Sequence, residues 1–173
     1  MKYHGSKIAW MGLLFALSLV LSFVESAFSG WIPIPGIKLG ISNIVVMYCL
    51  FFLGKKEAYG LAFLKAFFVF LIRGPVGAAM SLCGGLVSVT AMLCLIRIGC
   101  SPLFVSICGG LSHNIGQLFA ASLLLKSNAV FYYFPILAAA GMGMGVFTGT
   151  TMRLLRPYLQ KMSELCIEEA KRE

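Results

Sequence analysis

Few side chains in this sequence can do chemistry, and most of them stand inside long apolar runs. Lys65 lies eight residues from each end of the run 57–73. His113 and Gln117 are four apart and share one helical face, with Asn114 turned about 100° away. Glu25 lies near one end of the first apolar run, and Lys38, Asn43 and Arg73 bracket the ends of the next two. An ionisable group at membrane depth costs about 2.5–3.5 kcal/mol on insertion scales, so such groups face an interior cavity. Lys38, Lys65 and Arg73 are three cations facing one acid, with amide and imidazole groups nearby. A ligand with negative charge or several acceptor oxygens suits that set. Arginine grips a carboxylate or phosphate through two parallel bonds. The candidate substrate-binding residues are therefore Glu25, Lys38, Asn43, Arg73, His113 and Gln117. Each has a plainer reading. Glu25 can be a structural ion-pair partner of Lys65, Lys38 or Arg73, His113 and Gln117 can fix helix packing, and Arg73 can snorkel outward as an anchor.

Other chemistries are excluded by what is missing. The 173 residues contain no aspartate, and all six acids are glutamate. EF-hand loops and Walker B sites therefore have no ligands here. No Gly-x-x-x-x-Gly-Lys-Ser/Thr run is present, so the chain does not bind ATP through a P-loop. None of the six cysteines forms a Cys-x-x-Cys pair or stands at ligand spacing from histidine. They read as small packing residues. No catalytic residue, metal site or cofactor is expected.

The elements that must position these groups follow from composition. Sixty per cent of the residues are hydrophobic and 12% are charged, against about 25% charged in soluble domains. The class is an all-α integral membrane protein. A bilayer core about 30 Å thick takes roughly 20 helical residues per crossing. Six candidates cover 7–28, 39–53, 57–73, 78–96, 102–125 and 129–152. Continuous apolar runs exclude a strand barrel. With the N-terminus inside, ten basic residues fall on the cytoplasmic side and three outside, as the positive-inside rule requires. Both termini are then cytoplasmic, and the first helix is a retained one. The net charge of +8 is mostly this topology signal, and no basic stripe with interleaved aromatics points to nucleic acid.

Residues 1–156 form the expected membrane domain, and 157–173 a short amphipathic tail at the inner surface. The outer segment 31–40, with Pro33, Pro35, Gly36 and Gly40, reads as a lid folded over a cavity. Small residues let helix backbones approach in lipid. Gly141, Gly145 and Gly149 form such a row, as do Ser112, Gly116 and Ala120, and Ser81 with Gly85. Gly12 and Ala16 in the first helix read either as internal packing or as a seam for a partner subunit.

Glu25, Pro35-Gly-Ile-Lys-Leu-Gly-Ile-Ser-Asn43, the Arg73-Gly turn, Ser81-Leu-Cys-Gly-Gly85 and His113-Asn-Ile-Gly-Gln117 resemble the Gx transporter family. That family also carries the name heptaprenyl diphosphate synthase component I. The likeness covers roughly 8–155. The family in turn resembles substrate-binding S components of energy-coupling factor (ECF) transporters. That resemblance implies six helices, outer loops closing over a small ligand, and residence in a bacterial plasma membrane. It also implies a T component docking near Gly12 and Ala16, and two ATPase subunits that bind the ATP. The chain itself is then an uptake subunit for a small anionic or oxygen-rich compound. The alternative is an accessory membrane subunit of isoprenoid or quinone biosynthesis that gathers a lipid diphosphate. Prenyl diphosphate synthases hold magnesium with aspartate-rich motifs, which this chain lacks.

Overall fold

The computed structural model describes the backbone of residues 2–29 and 42–172, and the side chains of 8–25, 42–154 and 157. Five α-helices follow in chain order: α1 (Lys2–Ser29), α2 (Asn43–Tyr48), α3 (Lys55–Arg97), α4 (Pro102–Leu125) and α5 (Phe134–Arg172). Helix α2 runs on as a π-helical turn, Cys49–Leu53, and a 3₁₀ stretch, Asn128–Tyr133, precedes α5. No strand occurs among the described residues. Three helical segments are long and apolar enough to cross a membrane: Ile8–Glu25, Lys55–Arg97 and Asn128–Leu154. Asn43–Leu53 is a shorter apolar helix.

The length of α3 conceals its shape. Its 43 residues would span about 65 Å if straight, twice a bilayer core. Gly74 interrupts it with φ 74° and ψ −172°, a conformation open essentially to glycine alone. Pro75 follows, with its fixed φ suited to a helix start. The two arms, 55–73 and 75–97, fold back on each other. Tyr59 Oη donates to Thr90 Oγ1 at 2.8 Å, and the Thr90 hydroxyl in turn donates to the Leu86 carbonyl. A Cβ built on Gly85 would lie 3.2 Å from that of Ala62. The sequence places a five-residue turn, 73–77, between these segments; the structure compresses it to Gly74.

The remaining contacts continue the zigzag. Gly84 and Gly116 bring the second arm of α3 onto α4 at backbone distance: a Cβ on Gly116 would meet the Cys83 carbonyl and Gly84 Cα, each at 2.9 Å. On its other side α4 meets α5, where a Cβ on Gly110 would lie 2.5 Å from the Gly141 oxygen and one on Gly145 2.5 Å from Ile107 Cα. Only glycine allows this approach. Helix α4 is thus the central element, which explains why its polar residues are buried. Gly54 (φ 121°) makes the tight turn from the π segment into α3, and Ser101 caps α4 through the Phe104 N–H.

One apolar core joins six segments, both arms of α3 included. Leu14, Val45 to Met47, Cys49, Leu50, Ala58, Leu61, Val89, Met92, Val105 and Met152 pack together. A smaller cluster of Leu118 and Leu137 lies toward the opposite end, with Val130 against it. The outer faces remain apolar and exposed, as lipid-facing helices are: Phe63, Phe67, Phe70, Leu71 and Ile72 on α3, and Ile8, Leu13, Leu17, Val20 and Phe23 on α1. Helix α5 continues through Pro157 to Arg172, so the backbone has no helix break where the sequence suggested a separate tail. The lid expected at 31–40 lies outside the described residues.

Candidate functional site

Between the apolar core and the Gly74 end, the interior turns polar. Ser42, Lys65, Ser81, Ser88, Ser106, His113, Asn114, Gln117 and Thr148 are all buried. Alternation of helical faces explains the set. In α4, positions 106, 113 and 117 recur at seven- and four-residue steps, so they stack along one side. Lys65 sits on the face of α3 that also carries Leu61, Ala62, Ala66 and Val69, so its chain lies among apolar stems while its ammonium reaches across to α2. Lys65 Nζ donates to Ser42 Oγ, which ties the first arm of α3 to the start of α2.

Two narrow clefts open into this layer. One leaves about 20 Å³ of free space, lined by Asn43, Met47, Ser88, Met92, Ser106, Gly109, Gly110, Asn114, Gly141, Met144, Gly145 and Thr148. The other leaves about 10 Å³ among Asn43, Val46, Ala62, Lys65, Ser81, Gly85, Ser88 and His113. Asn43 and Ser88 border both. The Ser88 hydroxyl donates to the Gly109 carbonyl at 2.8 Å and therefore offers only its lone pairs to either cleft. Asn114 Nδ2 donates to the Leu137 carbonyl at 2.7 Å, tying α4 to the first turn of α5. Gln117 Nε2 contacts His113 Nε2 at 3.1 Å. That contact joins two residues one helical turn apart on the same face of α4.

The sequence-derived residues are distributed unevenly. Asn43, His113 and Gln117 belong to the polar layer, and the first two line one cleft together. Glu25 is only 1% exposed, one of the most deeply buried large side chains, on the α1 face shared with Leu14 and Ser18. Arg73 is exposed at the Gly74 end of α3 and lines neither cleft. Lys38 lies outside the described residues. Sequence reasoning placed Lys65, 7% exposed, in the polar set but not among the binding residues, and did not name Ser42, Ser81 or Ser106 as candidates. The mid-run position of Lys65 was the available signal; single serines in apolar runs gave none. The partner-seam residues Gly12 and Ala16 are both exposed, and a Cβ on Gly12 would meet nothing within 4 Å.

No group of three or more histidine, cysteine, aspartate or glutamate side chains is placed to hold a metal ion among the described residues. The layer contains one ammonium, several hydroxyls, three amides and an imidazole.

The sequence profile of a family described as heptaprenyl diphosphate synthase component I matches residues 14–155. That span takes in α2 to α4, most of α1 and the membrane-length part of α5. No curated protein and no solved structure matches the chain.

Proposed function

The chain belongs to the heptaprenyl diphosphate synthase component I family, and from that premise we propose that it is the non-catalytic membrane subunit of a prenyl diphosphate-forming system. In this reading it holds a lipid diphosphate within the bilayer and presents it to a soluble synthase. The observation that carries the reading is the family match over residues 14–155. The absence of aspartate supports the division of labour. A synthase needs acidic side chains to hold magnesium and diphosphate, and a partner must supply them. The chain crosses the membrane six times, both arms of α3 counting as crossings, with both termini in the cytoplasm of a bacterial cell.

Co-purification in a mild detergent tests the reading directly. An aspartate-rich prenyl synthase recovered with the chain, together with a prenyl diphosphate in the extract, is the expected result. Recovery of a membrane T component and ATPase subunits in its place would support the second reading.

That second reading is an S-type uptake subunit for a small anionic or oxygen-rich compound. One observation favours it: Gly12 and Ala16 leave a shallow, uncovered strip on α1, the kind of surface on which a second membrane subunit packs. ATP would be bound by the partners in that case. Both readings make the chain a binding subunit without bond-making chemistry, and both require an interior site for negative charge.

A further inference from the structure

We propose that the cleft among Asn43, Ser88, Ser106, Asn114 and Thr148 is a binding site for one water molecule that bridges α2 to α4 and α5. It stands whichever of the two functional readings holds. The cleft leaves about 20 Å³ of free space, and a water needs roughly 10–15 Å³ together with two to four polar partners. Its five polar side chains come from four helices: Asn43 from α2, Ser88 from the second arm of α3, Ser106 and Asn114 from α4, and Thr148 from α5. Ser88, Ser106, Asn114 and Thr148 are buried, where an unmet polar group is costly.

The pattern of donors and acceptors selects water over an ion. The Ser88 proton is committed to the Gly109 carbonyl at 2.8 Å, so Ser88 has only lone pairs left to offer. Asn114 Nδ2 donates one hydrogen to the Leu137 carbonyl at 2.7 Å and keeps its second. A Cβ built on Gly141, which also lines the cleft, would lie 2.7 Å from that nitrogen and so locates it at the cleft wall. A cation is met by lone pairs alone, and an anion by N–H and O–H groups alone. Water donates and accepts, and the Ser106 and Thr148 hydroxyls can turn to suit it. Among the described residues, none that lines the cleft is charged. The bridge matters most for α2. Its six residues, of which Asn43 is the first, are too few to hold a helix unaided.

The test is a crystal structure of the full-length chain grown from lipid, with one crystal in sodium and another exchanged into thallium. The expected result is one density peak in the cleft, about 2.7–3.2 Å from polar side-chain atoms of at least two helices. Thallium should add no anomalous signal there. A thallium signal at that point would make it a monovalent-cation site and overturn the assignment. A cleft without a peak, or a peak bonded to one helix alone, overturns it equally. Melting in detergent gives an independent reading. Thr148→Val loses the hydroxyl at nearly constant volume, so the thermal midpoint should fall by about 2–4 °C, the scale of one hydrogen bond in a chain of this size. Thr150→Val, at an exposed position of the same helix, should leave the midpoint unchanged. Equal midpoints for the two variants overturn the bridge. Should Thr148→Val fail to fold, Ser106→Ala takes its place in the comparison.

Discussion

Glycine and asparagine perform the tightest packing in this protein, and their effects separate cleanly. A Cβ on Gly145 would sit 2.5 Å from Ile107 Cα and 2.9 Å from the Ser106 carbonyl, which are backbone atoms and cannot yield cheaply. Gly143, two residues earlier on the same helix, meets nothing within 4 Å. Gly145→Ala should therefore destabilise the bundle by about 1–3 kcal/mol, the usual scale of overpacking. Gly143→Ala should be neutral or slightly stabilising, because alanine is the better helix former. Thermal unfolding of both variants in one detergent checks the pair, and equal losses would refute the assigned helix contact. Asn114 gives a second measure. Its Nδ2 reaches the Leu137 carbonyl at 2.7 Å, so Asn114→Ala should cost about 0.6–1.7 kcal/mol, as interhelical hydrogen bonds in membranes do. The same melting experiment reads it.

Elements decide what those residues face. The hairpin in α3 depends on Gly74, whose φ of 74° and ψ of −172° cost a residue with a Cβ about 1–3 kcal/mol. Gly74→Ala should lower the melting point accordingly, although nothing lies within 4 Å of the added methyl. A loss there would report backbone strain alone. Helix α1 gives the opposite case. Gly12→Leu meets open space and should leave the melting point of the isolated chain unchanged while weakening recovery of a membrane partner. Much of this was legible in the sequence, since apolar runs punctuated by glycine, proline and charge delimit most helix ends to within a few residues, although α5 runs on from the expected end at 152 to Arg172. The glycine row of α5 marked its face toward α4, whereas Gly116, in the small-residue row of α4, packs on α3. The polar layer was only half legible. His113 and Gln117 announce a shared face by spacing, but Asn114, a hundred degrees away, is buried too because α4 has helices on both sides. Lys65 and Ser42 are 23 residues apart in sequence, and only the fold-back of α2 on α3 joins them. Arg73 entered the set by its charge, and it is exposed beside the Gly74 turn.

At the scale of the whole molecule, the successive fold-backs sort the chain ends by charge. Ser42 meets Lys65, Tyr59 meets Thr90, Ser88 meets Gly109, and Gly110 meets Gly141, so each segment runs antiparallel to the next. The turn at Gly54, the turn at Gly99 and the Met152 region then share one end, consistent with the apolar core that joins them. Lys55, Lys56, Arg97 and Arg153 gather there. At the opposite end, the turns at Gly74 and Lys126 carry Arg73 and Lys126 alone among the described basic residues. A membrane protein keeps its lysine- and arginine-rich loops in the cytoplasm, so in the orientation we propose the four-residue cluster faces the cytoplasm. Replacing all six cysteines and then placing one probe cysteine at a time tests this in intact cells. A membrane-impermeant maleimide should label Ser127→Cys and should reach Lys56→Cys only after the membrane is permeabilised. Labelling of both from outside would mean that the segments between them do not alternate across the bilayer. The reverse pattern would place the basic end outside, and with it the partner surface on α1 would have to be exchanged.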